Sequence, residues 1–184
     1  MKTSRAAVAS AAFFVAAPGT VVGLIPWLIT RWEIADFTPT AICHVGAALV
    51  AVGLIPPAHA FVQFVKAGGT PVPIAPTQRL VVTGFNRYVR NPMYVGLIVT
   101  ILGQALLFSS VGLVIYAAIA WTITASFVRW YEEPTLVREY GDEYETYRRN
   151  VHAWLPRMRP WTPVMPSGRG SSYRYDSDRA YPAD

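Results

Sequence analysis

The residues best suited to chemistry lie in the stretch Gly84–Gly96, GFNRYVRNPMYVG. Arg87 and Arg90 stand directly before Asn91, Pro92 and Tyr94, where a polar connector runs into an apolar helix. Pro92 lacks an N–H and presets φ, so it suits the first turn of a helix. A helix N-terminus offers free N–H groups and positive dipole character, which hold an anion. The same arginines also suit plain anchoring at a membrane surface, and this stretch alone leaves both readings open. Further along come Arg129, the adjacent carboxylates Glu132 and Glu133, and a run of tyrosines. Adjacent carboxylates are costly unless each finds a partner. They either form a site with Arg90 and Arg129 or only pair with them as solvated ions worth little. Gln104 is an amide within an apolar run, which reads as an interhelical hydrogen bond or as a polar contact in a substrate cavity.

The elements that must position these groups are apolar helices. The chain has 184 residues, 53% hydrophobic and only 15% charged, with a mean hydropathy of +0.30. That composition fits a small polytopic membrane protein rather than a soluble domain. The formal charge is +5, with basic residues clustered at segment ends, which suits lipid headgroups rather than nucleic acid. Cys43 is the single cysteine, so no internal disulfide forms. No cluster of metal-ligand type accompanies His59.

Four spans are predicted: Ala6–Thr30, Thr40–Val65, Met93–Phe108 and Val111–Val128, each measured against a hydrocarbon core of ~30 Å. Lys2 and Arg5 before the first also resemble the start of a signal peptide, but the apolar run continues well past the small residues at Ala16–Ala17. Pro56-Pro57 must break or kink the second span. Lys66–Thr83 is a Pro/Gly-rich connector, with Leu80–Val82 as a short interfacial strand or turn. Ser109-Ser110 closes a helical hairpin between the last two spans. Gly96, Thr100 and Gly103 share one face of the third span and let another helix approach closely.

After Arg129 the pattern changes. Leu136, Tyr140, Tyr144, Tyr147 and Val151 recur at spacings of three and four, one apolar-aromatic stripe on an amphipathic interfacial helix. Gly141 weakens it and marks a possible break, and Leu155-Pro156 ends it. Pro160–Asp184 has no periodicity and reads as a disordered tail. The expected fold is an all-α membrane bundle of about four transmembrane helices plus this interfacial helix. In domain terms this gives two N-terminal spans (1–66), a connector (67–83), a core (84–159) and the tail. Lys and Arg fall almost entirely at one end of the spans, so both termini and the Gly84–Tyr94 stretch are expected in the cytoplasm.

Roughly Leu80–Pro156 resembles the isoprenylcysteine carboxyl methyltransferase family and its phospholipid N-methyltransferase relatives. The ordered motifs are VTGFNRYVRNPMYVG, then LGQ, then a Glu-Glu pair, then a tyrosine-rich tract beginning at Gly141, then LP. The resemblance implies an integral membrane methyltransferase using S-adenosylmethionine, acting at the cytoplasmic face on a lipid or lipid-modified acceptor. By this likeness Arg90, Pro92, Tyr94, Gly96, Glu132, Glu133, Tyr144 and Tyr147 are cofactor-binding positions. Arg90, Asn91, Tyr94 and Glu133 are catalytic positions, and Arg87, Gln104 and Arg129 face the acceptor. No metal and no nucleic acid is expected.

One departure matters. The family's histidine is Asn91 here, which can hydrogen-bond but cannot shuttle a proton near neutral pH. Methylating a carboxylate needs no proton removal, whereas an amine acceptor would need Tyr94 or a glutamate as base. Two other readings are an NADPH-dependent membrane reductase of sterol-reductase type and a non-catalytic membrane scaffold. Met93 and Leu97 stand where such reductases commonly show Asn and an acid.

Overall fold

The computed structural model describes residues 16–35, 38–66, 80 and 82–162. Those residues are helical or irregular, with no strand among them. We label the helices α1 (Ala16–Thr30) and α2 (Thr40–Lys66), α3 (Pro92–Leu107), α4 (Val111–Tyr140) and α5 (Asp142–Asn150). The first ten residues of the predicted first span and most of the connector lie outside the described residues. Among the described residues two helices, Thr40–Val62 within α2 and α4 itself, are long and apolar enough to cross a membrane, while α3 and the described part of α1 are shorter. Their outer faces carry Val45, Val52 and Ile55 on α2 and Ile115, Ile119 and Ile123 on α4, all exposed. An apolar exterior of that extent belongs in lipid.

The tightest packing is between α2 and α3. A Cβ on Gly96 would stand 2.5 Å from the Gly53 carbonyl oxygen and 2.8 Å from Pro57 Cδ, and one on Gly103 would stand 2.8 Å from the Gly46 oxygen. Glycines at positions 46 and 53 thus meet glycines at 96 and 103, one heptad apart on each helix, with buried Thr100 between them. Such small-residue seams let backbones touch and gain dispersion energy where no hydrophobic effect drives association. The expected close approach at Gly96, Thr100 and Gly103 is therefore present, and its partner is α2.

Pro56 and Pro57 do not break α2, which runs continuously through them. Pro57 cannot donate to Gly53, the carbonyl that lies against Gly96. The helix is held there by its neighbour rather than by its own ladder.

α1 shows a related device. Its Thr20–Leu24 stretch is a π-turn in which Ile25 N–H donates to the Thr20 oxygen. Buried Pro26 follows and has no N–H to give. The Val21 carbonyl instead accepts from Tyr116 Oη at 3.0 Å and the Val22 carbonyl from Gln104 Nε2 at 2.7 Å. This bonding of freed backbone groups is what a bilayer demands.

The hairpin of α3 and α4 closes as expected. Ser109 takes a positive φ of 47°, and Ser110 caps α4 by accepting from Leu113 N–H. The amphipathic part departs from the single helix expected. Its first half, Glu133–Tyr140, is the continuation of α4. Gly141, at φ 50°, then breaks the chain and α5 starts anew. The aromatic stripe survives the break: Tyr144, Tyr147 and Val151 form a buried cluster flanked by Leu136, Val137 and Tyr140. Helix α5 ends at Asn150, before Leu155-Pro156, because Val151 turns extended.

From there to Thr162 the chain is an irregular strap. Residues 160–162, expected in the tail, are docked: Trp161 packs on Tyr147 with ring centroids 5.5 Å apart, and its N–H donates to the Arg87 carbonyl. Residues 163–184 lie outside the described residues. The seam makes a sharp demand. Gly96→Ala or Gly103→Ala should destabilise the detergent-solubilised protein by about 1–3 kcal/mol, because the new Cβ meets backbone that must shift. Gly23→Ala, with nothing within 4 Å, should leave the melting temperature near wild type.

Candidate active site

The site is built where α3 begins and α4 ends. Pro92 is the first residue of α3. The approach to it, Asn86–Asn91, has no regular structure after its 3₁₀ turn Gly84–Arg87, so other segments must bond its backbone. Arg90 N–H donates to the His152 carbonyl, and Asn91 gives both its N–H and its side-chain Nδ2 to the Ala153 carbonyl. Arg157 N–H donates to the Tyr88 carbonyl, and Tyr147 Oη to the Asn86 carbonyl at 2.7 Å. The strap and α5 thereby fix the path that carries Arg90.

On α4, a second π-turn spans Val128–Glu132, with Glu133 N–H donating to the Val128 oxygen and Pro134 next. Successive helix positions diverge by roughly 100°, so the two glutamates face different surroundings. Glu133 Oε1 pairs with Arg90 Nη1 at 2.8 Å, with side chains only 13% and 11% exposed. Arg90 Nη1 also donates to Tyr144 Oη at 3.2 Å. The Glu133 Oε2 side lies 3.9 Å from Arg148, which pairs more closely with Glu145. Glu132 Oε2 and Arg90 Nε are buried with no hydrogen-bond partner among the described residues.

A cavity of about 580 Å³ opens beside this pair. Arg90, Arg129, Glu133 and Arg148 line it together with Trp121, Val128 and Trp154. A smaller recess of about 300 Å³ shares Arg129, Glu133 and Arg148. Among the described residues no group of three His, Cys, Asp or Glu could hold a metal ion.

The structure thus brings Arg90, Glu133, Arg129 and Tyr144 to one corner, with Asn91, Pro92 and Tyr94 on the adjoining start of α3. It sets others apart. Arg87 donates through Nε to the Trp161 carbonyl and through Nη2 to Thr162 Oγ1, so it holds the strap rather than the cavity. Gln104 sits three turns up α3, bonded to α1. Gly96 is packed into the α2 seam. Tyr144 and Tyr147 are 3% and 5% exposed and present no open ring face; burial raises both phenols above the ordinary tyrosine value. Arg148, Trp121 and Trp154 were not singled out in the sequence, although Arg148 lies one turn beyond Tyr144 on the flank of the stripe.

Two expectations follow from this geometry. Removing one partner of a largely buried pair strands a charge, at a cost of about 3–5 kcal/mol, whereas replacing both by apolar groups is often neutral. Arg90→Ala should therefore lower the melting temperature strongly, and Arg90→Met with Glu133→Leu should recover most of it. Tyr144 and Tyr147 keep their protons in the folded state beyond the pH at which they ionise unfolded. Stability is then full below about pH 10 and falls as pH rises further. Ultraviolet titration should show these phenols ionising only with unfolding.

Comparison with known proteins gives a consistent result. A family model described as phospholipid methyltransferase matches residues 42–143. The protein-S-isoprenylcysteine O-methyltransferase of Schizosaccharomyces pombe is 37% identical over 78 residues, 42% of this chain and 33% of that protein. This chain therefore aligns with about a third of the relative's length. No solved structure matches. The family match covers more than half of the chain and contains α3, the hairpin, Arg90 and both glutamates. On that extent of match, the chain belongs to the phospholipid methyltransferase family.

Proposed function

We propose that this chain is an integral membrane methyltransferase that uses S-adenosylmethionine to methylate a lipid or lipid-linked acceptor. Four helices cross the membrane and the site faces the cytoplasm. The observation that carries the reading is the Arg90–Glu133 pair in the lining of a cavity that carries both ionic and aromatic side chains. A lipid-linked substrate needs both kinds of group; a simple anchor needs neither.

The donor set fits the cofactor. S-adenosylmethionine supplies an electrophilic methyl on a sulfonium, together with a carboxylate, an ammonium and ribose hydroxyls. Glu132, with a buried oxygen lacking a partner among the described residues, suits the ammonium or hydroxyls. Arg90, whose Nε is likewise unpartnered, suits the carboxylate. Glu133 holds the Arg90 guanidinium in place, and Tyr144 fixes it from below. These groups bind and orient, so positioning supplies most of the rate. Asn91 is bonded to Ala153 and cannot relay a proton near neutral pH. That favours O-methylation of an acceptor that is already anionic.

Equilibrium binding of S-adenosylmethionine to detergent-purified protein tests the reading. Wild type should bind it, and Glu132→Gln should weaken binding about ten- to a hundredfold, the worth of a hydrogen bond to a charged group. Arg159→Ala, exposed on the strap, should change little. Binding of NADPH instead of S-adenosylmethionine would replace this reading with a reductase.

A further inference from the structure

The strap turns apolar side chains outward. Met158 is 97% exposed and Leu155 72%, with Pro156 exposed between them. The chain is tied down on either side of each. Arg90 and Asn91 donate to the His152 and Ala153 carbonyls, and the Arg157 and Trp161 N–H groups donate to the Tyr88 and Arg87 carbonyls. The outward direction of Leu155 and Met158 is therefore set by the fold.

The depth of the strap can be read from α4. Trp154 meets Trp121 edge to face, with ring centroids 6.2 Å apart. Trp121 precedes Val128, the end of the fourth predicted span, by roughly 10 Å along the helix axis. Around that level Ile119, Ile123 and Phe127 are exposed on α4, part of the apolar exterior that belongs in lipid. The strap thus reaches down beside a helix whose surroundings are hydrocarbon. Its backbone sets a limit. The N–H groups of Leu155 and Met158 bond to no backbone carbonyl among the described residues, and unbonded backbone does not enter the hydrocarbon core. Side chains dip, therefore, while the backbone stays at headgroup level, as interfacial segments do.

Charge points to the same partner. Between Thr146 and Thr162 the chain has Arg148, Arg149, Arg157 and Arg159 and no Asp or Glu. Arg148 is engaged by Glu145, and Arg157 is half-buried. Arg149 and Arg159 are exposed and form no ion pair among the described residues. Apolar tips flanked by unpaired arginines suit a leaflet with anionic headgroups. We infer that the strap is seated in the adjoining leaflet, with Leu155 and Met158 at the boundary of the acyl chains and Arg149 and Arg159 on anionic headgroups. The part of the cavity wall that the strap supplies, Ala153 and Trp154, is then held between α4 and lipid. The inference holds whatever molecule the cavity takes.

Spin-label accessibility tests it without turnover. Cys43→Ser removes the single native thiol, and Leu155→Cys, Met158→Cys or Asp142→Cys then carries a nitroxide. All three positions are exposed, and the melting temperature in detergent checks that each labelled protein is folded. The proteins are reconstituted in vesicles of phosphatidylcholine, alone or mixed with phosphatidylglycerol. Collision with oxygen, which concentrates in lipid, is compared with collision with a neutral, water-soluble nickel chelate. In the mixed vesicles positions 155 and 158 should favour oxygen, and position 142, at the far end of α5, should favour the chelate. An arginine near an anionic surface is worth about a fivefold change in the seated population. Arg149→Gln with Arg159→Gln should therefore bring the oxygen preference in mixed vesicles down to that in phosphatidylcholine alone. Chelate access at 155 and 158 equal to that at 142 overturns the inference. Protection from both reagents overturns it too, because protein, a second copy or another chain, would then cover the strap. An oxygen preference that is the same in both kinds of vesicle overturns the assignment of the arginines to anionic headgroups.

Discussion

The ion pair between Arg90 and Glu133 is the constraint on which the rest depends. It joins three pieces distant in sequence: the start of α3, the π-turn of α4, and Tyr144 of α5. Two charges so nearly removed from water cost several kcal/mol each unless they stay together. The pair therefore fixes the depth at which α3 may begin and α4 may turn. The hairpin through Ser109 and Ser110 and the glycine seam with α2 must place those ends so that the two side chains meet at 2.8 Å. A seam of larger residues would separate the helices and leave both charges unpaired.

Two prolines shape the bundle by one mechanism and to different ends. Each follows a π-turn by two positions: Thr20–Leu24 before Pro26, and Val128–Glu132 before Pro134. A missing N–H favours the wider turn, since the α ladder is already broken there. In α1 the freed carbonyls are taken up by Gln104 and Tyr116, so the turn becomes a joint between helices. In α4 the turn lies against the cavity and sets the direction of two adjacent glutamates. One meets Arg90, and the other keeps an oxygen with no partner among the described residues.

What could be read from the sequence was what local chemistry repeats. Pro92 as a helix start, the glycine face of α3, the hairpin turn, the break at Gly141 and the Tyr144–Tyr147–Val151 stripe all follow from spacing or from a residue's own backbone preference. So does the meeting of Arg90 with Glu133, once a short turn makes α3 and α4 antiparallel. The strap was not legible, because it is held by backbone groups that every residue has: Arg90 and Asn91 bond to the carbonyls of His152 and Ala153. Trp161 docks for the same reason, across from Arg87. Gln104 reads from sequence as an interhelical hydrogen bond or an acceptor contact, and its bonded partner is a carbonyl on α1. Tyr144 and Tyr147 carried a ligand role by likeness, whereas their burial gives them the core of the α5 docking surface.

Asn91 shows how these levels connect. It stands where the resemblance places a histidine, and both of its available N–H groups reach the Ala153 carbonyl. Ala153 and its neighbour Trp154 line the cavity. Asn91 is 8% exposed and outside that lining, so its effect on the cavity passes through the strap. A histidine ring N–H can also donate to a carbonyl, so either residue can tie the strap down. Only histidine would add a group that gains and loses a proton near neutral pH. Position 91 in this chain therefore keeps the tether without the proton carrier. A reaction at this cavity has no proton route through that position, and an acceptor that arrives already ionised requires none.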